Sequence, residues 1–148
     1  MPIIKGIITE EGGLVRVSIG WSSTAARNLR LARRAVPVRL EAKALIDTGA
    51  EVTCLDPRLI EELELPYEGP VLANVPALEG VSFASQYAGS LTILHPSGRQ
   101  LDHFKLTDVP MLELPLHVFG YQMIIGRDVL KECMLFYNGV GQRFSLKY

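Results

Sequence analysis

Apolar positions along most of this chain recur two apart, the spacing that puts alternate side chains on one face of an extended strand. In LVRVSIG, residues 14–20, Val15, Val17 and Ile19 fall on one side with Leu14 slightly off phase, so a half-buried strand is expected. The pattern is lost over residues 21–35 and resumes in VPVRLEAKALID, which turns apolar just before Asp47; the two runs read as a hairpin with a long connection. DPRLIEELELP changes period: Leu59, Ile60 and Leu63 repeat at helical spacing, Asp56 can cap, Pro57 suits the first helical position and Pro66 stops the helix. Between residues 70 and 109, runs such as VSFASQYAGSLTIL and RQLDHFKLTDV are separated by Gly and Pro signals, Pro96-Ser97-Gly98 among them, and read as β-hairpins. The last third holds an apolar strand at 122–125, a brief helical segment from 127 to about 133, and two strands about an Asn138-Gly139 turn. The whole predicts an all-β chain with one or two short helices.

Length sets the next bound. The chain has 148 residues, 48% of them apolar, enough to enclose one core, and no repeat or change of composition marks a boundary, so one domain over 1–148 is expected. A formal charge of −1 with mixed signs gives no field to gather nucleic acid or anionic lipid, and neither is expected as a partner. Arg27, Arg30, Arg33 and Arg34 are the exception, a basic insertion at about 21–36 that reads as a solvated loop or short helix, or else as a docking or self-cleavage segment. Cys54 and Cys133 lack the spacing of a zinc site or redox pair and read as buried reduced thiols. With no apolar run of membrane-spanning length and no signal-like N-terminus, a cytoplasmic protein is expected.

Two segments carry chemistry. In Ala44-Leu45-Ile46-Asp47-Thr48-Gly49-Ala50, an apolar strand ends at an acid, a β-branched hydroxyl and a glycine. A carboxylate there is rigidly aimed, Thr48 can turn its methyl inward while its hydroxyl locks the loop, and Gly49 lets another backbone or a substrate come close. Asp-Thr-Gly alone arises by chance in about 3% of chains of this length, and its apolar context lowers that below roughly one in a thousand. The plainer reading is a strand entering a tight turn, with Asp47 capping backbone groups. In Met123-Ile124-Ile125-Gly126-Arg127-Asp128, a second apolar strand ends at a glycine and a guanidinium that could clamp a carboxylate, Glu51 being a candidate partner. By itself this segment is more often a strand-to-helix turn with Asp128 near the helix start.

Together the two segments resemble the retropepsin family, the dimeric aspartic peptidases that include the retroviral proteases. The resemblance implies a closed or partly closed β-barrel protomer with a flap hairpin at about 70–94, its tip near 75–81, and a C-terminal hairpin at about 134–148. It implies catalytic roles for Asp47, Thr48 and Gly49, with Thr48 bonding to its twin across a dimer axis. Substrate contacts are implied for Ala50, Glu51, Leu78, Gly80, Val81 and Ile124, and an ion pair for Glu51 with Arg127. Four features depart from the viral pattern: one glycine in the tip sequence Val75-Pro76-Ala77-Leu78-Glu79-Gly80, Asp128 after Arg127 where the viral pattern often has Asn, the basic insertion, and a longer C-terminal hairpin.

An aspartic peptidase needs two carboxyls and this chain has one Asp-Thr-Gly, so a homodimer acting on extended polypeptide is expected. No cofactor or metal is called for, since His95, His103 and His117 lack metal-binding spacing to Glu or Cys. Two other readings stay open, a non-catalytic dimeric module that holds peptides and a self-processing peptidase.

Overall fold

The computed structural model describes residues 1–75 and 80–148. Strand β2 (Gly12–Gly20) buries Val15, Val17 and Ile19 as its alternation requires, and pairs antiparallel with β3 (Leu40–Ile46) from Leu14↔Leu45 to Ile19↔Leu40. Their connection contains helix α1 (Ser23–Leu31), begun by Ser22, whose Oγ accepts the Ala25 N–H at 3.2 Å. Ala26 faces inward and Arg27 and Arg30 face out, so the basic insertion is helical over much of its length.

Beyond β3 come β4 (Cys54–Leu55), helix α2 (Pro57–Leu63), β5 (Tyr67–Val75), β6 (Gly80–Ile93), β7 (Phe104–Glu113), β8 (Met123–Ile125), helix α3 (Arg127–Leu130), β9 (Met134–Asn138) and β10 (Arg143–Lys147), with β1 (Ile3–Thr9) ahead of β2. The strands run β5-β6-β7-β4-β8-β3-β2-β1-β10-β9, and a further β6–β2 pairing closes β6, β7, β4, β8, β3 and β2 into a ring. The architecture is therefore mostly β, a barrel with short helices against it. Its interior takes Val17 and Ile19 from β2, Leu91 and Ile93 from β6, Met111 from β7, and Met123 and Ile125 from β8, all fully buried. At about 1.5–3 kcal/mol per fully buried aliphatic side chain, this ring of contacts outweighs any single polar interaction in the chain. Helix α2 seals it with Ile60 and Leu63, capped by Asp56 as its sequence predicts and ended by Glu64 in the left-handed region rather than by Pro66.

Three features depart from the sequence reading. Strand β1 went unpredicted because Ile3-Ile4 and Ile7-Ile8 put one apolar residue on each face: Ile4 is buried and Ile8 partly so, while Ile3 and Ile7 are exposed. It pairs with β10, which pairs with β9, and Phe144, Leu146 and Ile4 join this terminal sheet to the core. The β9–β10 loop is not a two-residue Asn-Gly turn; Asn138 pairs with Arg143, and the Asn138 Oδ1 accepts the Gly141 N–H at 2.8 Å across a wider loop. Three α-helices are present among the described residues, one more than the pattern suggested, because the basic insertion supplies α1. Cys54 is buried and Cys133 only partly so, and both are free thiols that burial pushes up to about 11. No helix of the described residues is long and apolar enough to cross a membrane.

Candidate active site

Strand β3 ends where its parallel neighbour β8 ends, with Ile46 opposite Ile125, so the two apolar runs deliver their polar sequels to one end of the barrel. The Asp47 N–H donates to the Ile125 carbonyl at 3.0 Å, the last bond of the ladder, and the chain then turns, the Ala50 N–H donating to the Asp47 carbonyl at 3.2 Å. Within that turn Oδ1 of Asp47 accepts the Gly49 N–H at 2.8 Å. The carboxylate thus closes its own loop, as the plainer reading foresaw, while staying partly exposed beside Thr48 and Gly49, which are both exposed. A Cβ on Gly49 would stand 3.1 Å from Oδ1 of Asp47, tighter than side chains normally tolerate.

The loop is held from beneath by the second motif. The Arg127 N–H donates to the Ala50 carbonyl at 2.9 Å, and Nη1 of Arg127 donates to the Thr48 carbonyl at 2.9 Å. The guanidinium therefore holds backbone, and the ion pair implied for Glu51 and Arg127 is not formed: Glu51 is exposed and offers its own carbonyl to the Asp128 N–H at 3.3 Å. Gly126 is needed for steric reasons, since a Cβ there would lie 2.7 Å from the Val52 carbonyl carbon and 3.0 Å from the Ala50 carbonyl oxygen. Backbone, unlike a flexible side chain, cannot yield cheaply.

A polar knot that the sequence did not disclose completes the support. Thr53 is fully buried; its Oγ1 donates to Oδ1 of Asp128 at 2.8 Å and accepts the Gly126 N–H at 3.2 Å, while its own N–H donates to Oδ2 of Asp128 at 3.1 Å. This lock, and not the Thr48 hydroxyl, ties the Asp47 loop down; among the described residues the Thr48 hydroxyl bonds to nothing within the protomer. No local pattern marks Thr53, because its partners lie more than seventy positions away. Nearby, Asp56 is fully buried and accepts the N–H groups of Arg58 at 2.9 Å, Leu116 at 2.7 Å and His117 at 2.7 Å. Burial opposes its charge, but those three donors and the adjacent His117 outweigh it and hold the carboxyl below the usual range.

The remaining residues singled out in the sequence are distributed unevenly. Ala50 is partly buried in the loop. Ile124 is partly buried in a second apolar cluster with Cys54, Ala84, Leu112 and Leu116, under the β5–β6 hairpin and beside the Asp47 loop. Tyr121 joins this cluster and stacks on Phe119 with ring centroids 5.6 Å apart; burial, with Asp47 and Glu11 nearby, raises its hydroxyl pKa. Gly80 opens β6 in the left-handed region at φ +118°, and Val81 is exposed, sharing a face with Leu72 and Phe83 that is opposite to the inward Ala84. Leu78 and most of the expected flap tip lie outside the described residues. No group of three or more His, Cys, Asp or Glu among the described residues is placed to hold a metal ion.

Comparison with known proteins bears on the fold and the family. The chain aligns in fold with a retropepsin-like aspartic protease from Rickettsia conorii at a TM-score of 0.57 and 12% identity, covering 99% of this chain and 90% of that one. A looser likeness, TM-score 0.42 at 14% identity, covers 85% of this chain and 82% of the retroviral protease-like domain of Ddi1 from Leishmania major. No curated protein shows a match to the sequence. The family profile described as retroviral aspartyl protease matches residues 9–136, which take in both chemical motifs and most of the barrel. The chain belongs to the retroviral aspartyl protease family.

Proposed function

We propose that this protein is an aspartic endopeptidase whose active site forms when two copies bring their Asp47 carboxyls together on a two-fold axis. The observation that carries the reading is the Asp47 loop itself: a carboxylate fixed at a barrel end by a backbone N–H and an arginine-anchored turn, with Thr48 and Gly49 exposed and, among the described residues, no second carboxylate bonded to it. A two-fold dimer joins the same surface on both partners, and the exposed Thr48 hydroxyl is free to bond across it.

Two carboxyls about 3 Å apart cannot both ionise cheaply, so the pair holds one proton. The charged oxygen takes a proton from water as that water attacks the peptide carbonyl, and the neutral partner donates its proton to the developing oxyanion. Extended polypeptide lies in the cleft with its backbone bonded near Gly49, and its apolar side chains meet Ile124 and the cluster under the β5–β6 hairpin. Ala50, Glu51, Gly80, Val81 and Leu78 complete the proposed contact surface.

The test uses wild type and Asp47→Asn at matched concentration, with a diverse peptide pool between about pH 4 and 7 and light scattering on both proteins. Cleavage by wild type alone, from a particle of twice the protomer mass, is the expected result. Equal cleavage by both proteins refutes the catalytic role, and peptide retention without cleavage by either identifies a binding module instead.

A further inference from the structure

We propose that the cavity between α1, residues 36–39 and strands β6 and β7 binds an oxyanion, a carboxylate or phosphate group carried on a small organic molecule. The cavity is about 460 Å³ and is lined by Arg30, Arg39 and Lys105, with no Asp or Glu among the described residues of its walls. Val36, Pro37 and Leu106 give it an apolar side suited to a carbon skeleton. At about 30 Å³ per water it has room for roughly fifteen waters, or an organic acid of comparable size.

Arg39 is the centre of the argument. Its Nε donates to the Ser18 hydroxyl at 2.9 Å, Nη1 to the Ser90 hydroxyl at 2.6 Å and Nη2 to the Ser18 carbonyl at 2.7 Å, all neutral acceptors. Nη2 also reaches the Thr92 hydroxyl at 3.4 Å, so one Nη1 proton is left over. Ser90 is itself buried and its hydroxyl donates to the Trp21 carbonyl at 2.8 Å, which fixes the whole fork. Arg39 shares with most arginines of the described residues the lack of a paired acid, only Arg16 with Glu41 and Arg99 with Asp102 having one, but it alone is held in a fork of neutral acceptors beside a cavity. Partial loss of water lowers its pKa, as expected of a cation without a counter-charge. The side chain nevertheless remains exposed, so an incoming anion can reach a guanidinium already oriented to meet it.

This site stands apart from the Asp47 loop. Arg39 precedes β3 and Asp47 follows it, and the seven-residue strand spans about 23 Å at about 3.3 Å per residue. The inference therefore holds whether or not the chain cuts peptides, and it gives part of the basic insertion a role.

Trp21 lines the cavity and is the only tryptophan of the chain, so its emission reports on the site directly. The probes are succinate for the carboxylate and glycerol phosphate for the phosphate, each titrated against sodium chloride at equal ionic strength, with calorimetry alongside. A saturable change with at least one probe and none with chloride is expected, and the stronger probe names the group preferred. Arg30→Gln with Lys105→Gln, both at exposed positions, should weaken that binding at least about tenfold while the far-ultraviolet spectrum is unchanged. Absence of saturable signal in both methods, or equal affinity in the double variant, overturns the proposal.

Discussion

Replacing Thr53 by Val tests whether the buried knot under the Asp47 loop holds the site together. The two side chains are nearly equal in volume, so the change removes hydrogen bonds and leaves packing intact. Two bonds are lost, the 2.8 Å donation to Asp128 and the 3.2 Å acceptance from the Gly126 N–H. An orphaned buried donor such as Gly126 N–H costs about 1–3 kcal/mol, and a bond to a charged acceptor is worth about 1.5–3 kcal/mol. Asp128 keeps the N–H donors of Thr53 at 3.1 Å and Val129 at 3.0 Å, so the second figure applies at its low end. The extra buried methyl returns about 0.8 kcal/mol. A net loss of about 2–3 kcal/mol follows, a fall in urea midpoint of roughly 1 M for a slope near 2 kcal/mol/M. Urea unfolding followed by circular dichroism, at one protomer concentration because any self-association would add to apparent stability, measures it. Thr53→Ser keeps the hydroxyl and should stay within about 1 kcal/mol of wild type. A Thr53→Val protein within about 0.5 kcal/mol of wild type would refute the claim that this network carries the loop.

Two further outcomes follow from the same region. Asp56 titrates low when folded, so the stability it contributes is present above its unfolded pKa, near about 3.9, and is lost as pH falls through the lower folded value; Asp56→Asn should cost about 2–3 kcal/mol at pH 7, with a difference from wild type that shrinks in acid denaturation curves below about pH 4, and a constant difference down to pH 2 would contradict this. Gly126→Ala forces a methyl against the Val52 and Ala50 backbone and should destabilise by at least about 2 kcal/mol while reducing peptide cleavage, read by thermal melting and a peptide assay; an active, equally stable variant would show that the loop can shift without consequence.

Much of the barrel was legible in the chain because alternation reports directly on which side of a strand faces the core. Val15, Val17 and Ile19 are buried as the period predicts, and the capped helix after Asp56 forms where its spacing places it. Strand β1 was hidden by its isoleucine doublets, which satisfy neither phase, and the Asn138-Gly139 signal placed a turn at the right point but with the wrong loop length. At the site, the Asp47 loop could be found from local residues alone. The partner of Arg127 could not: the guanidinium had a carboxylate within reach in sequence terms, yet the loop's geometry presents the Thr48 carbonyl to it instead.

The amino-acid sequence by itself determined most of the strand content, β1 excepted, the family resemblance and the position of the lone Asp-Thr-Gly, because each depends on residues close along the chain. The closure of six strands into a ring, the Thr53–Asp128–Gly126 knot and the cation-lined cavity around Arg39 were decided only by tertiary structure. Each joins groups tens of residues apart, and contacts of that kind are set by how strands pair and pack, about which local periodicity carries no information.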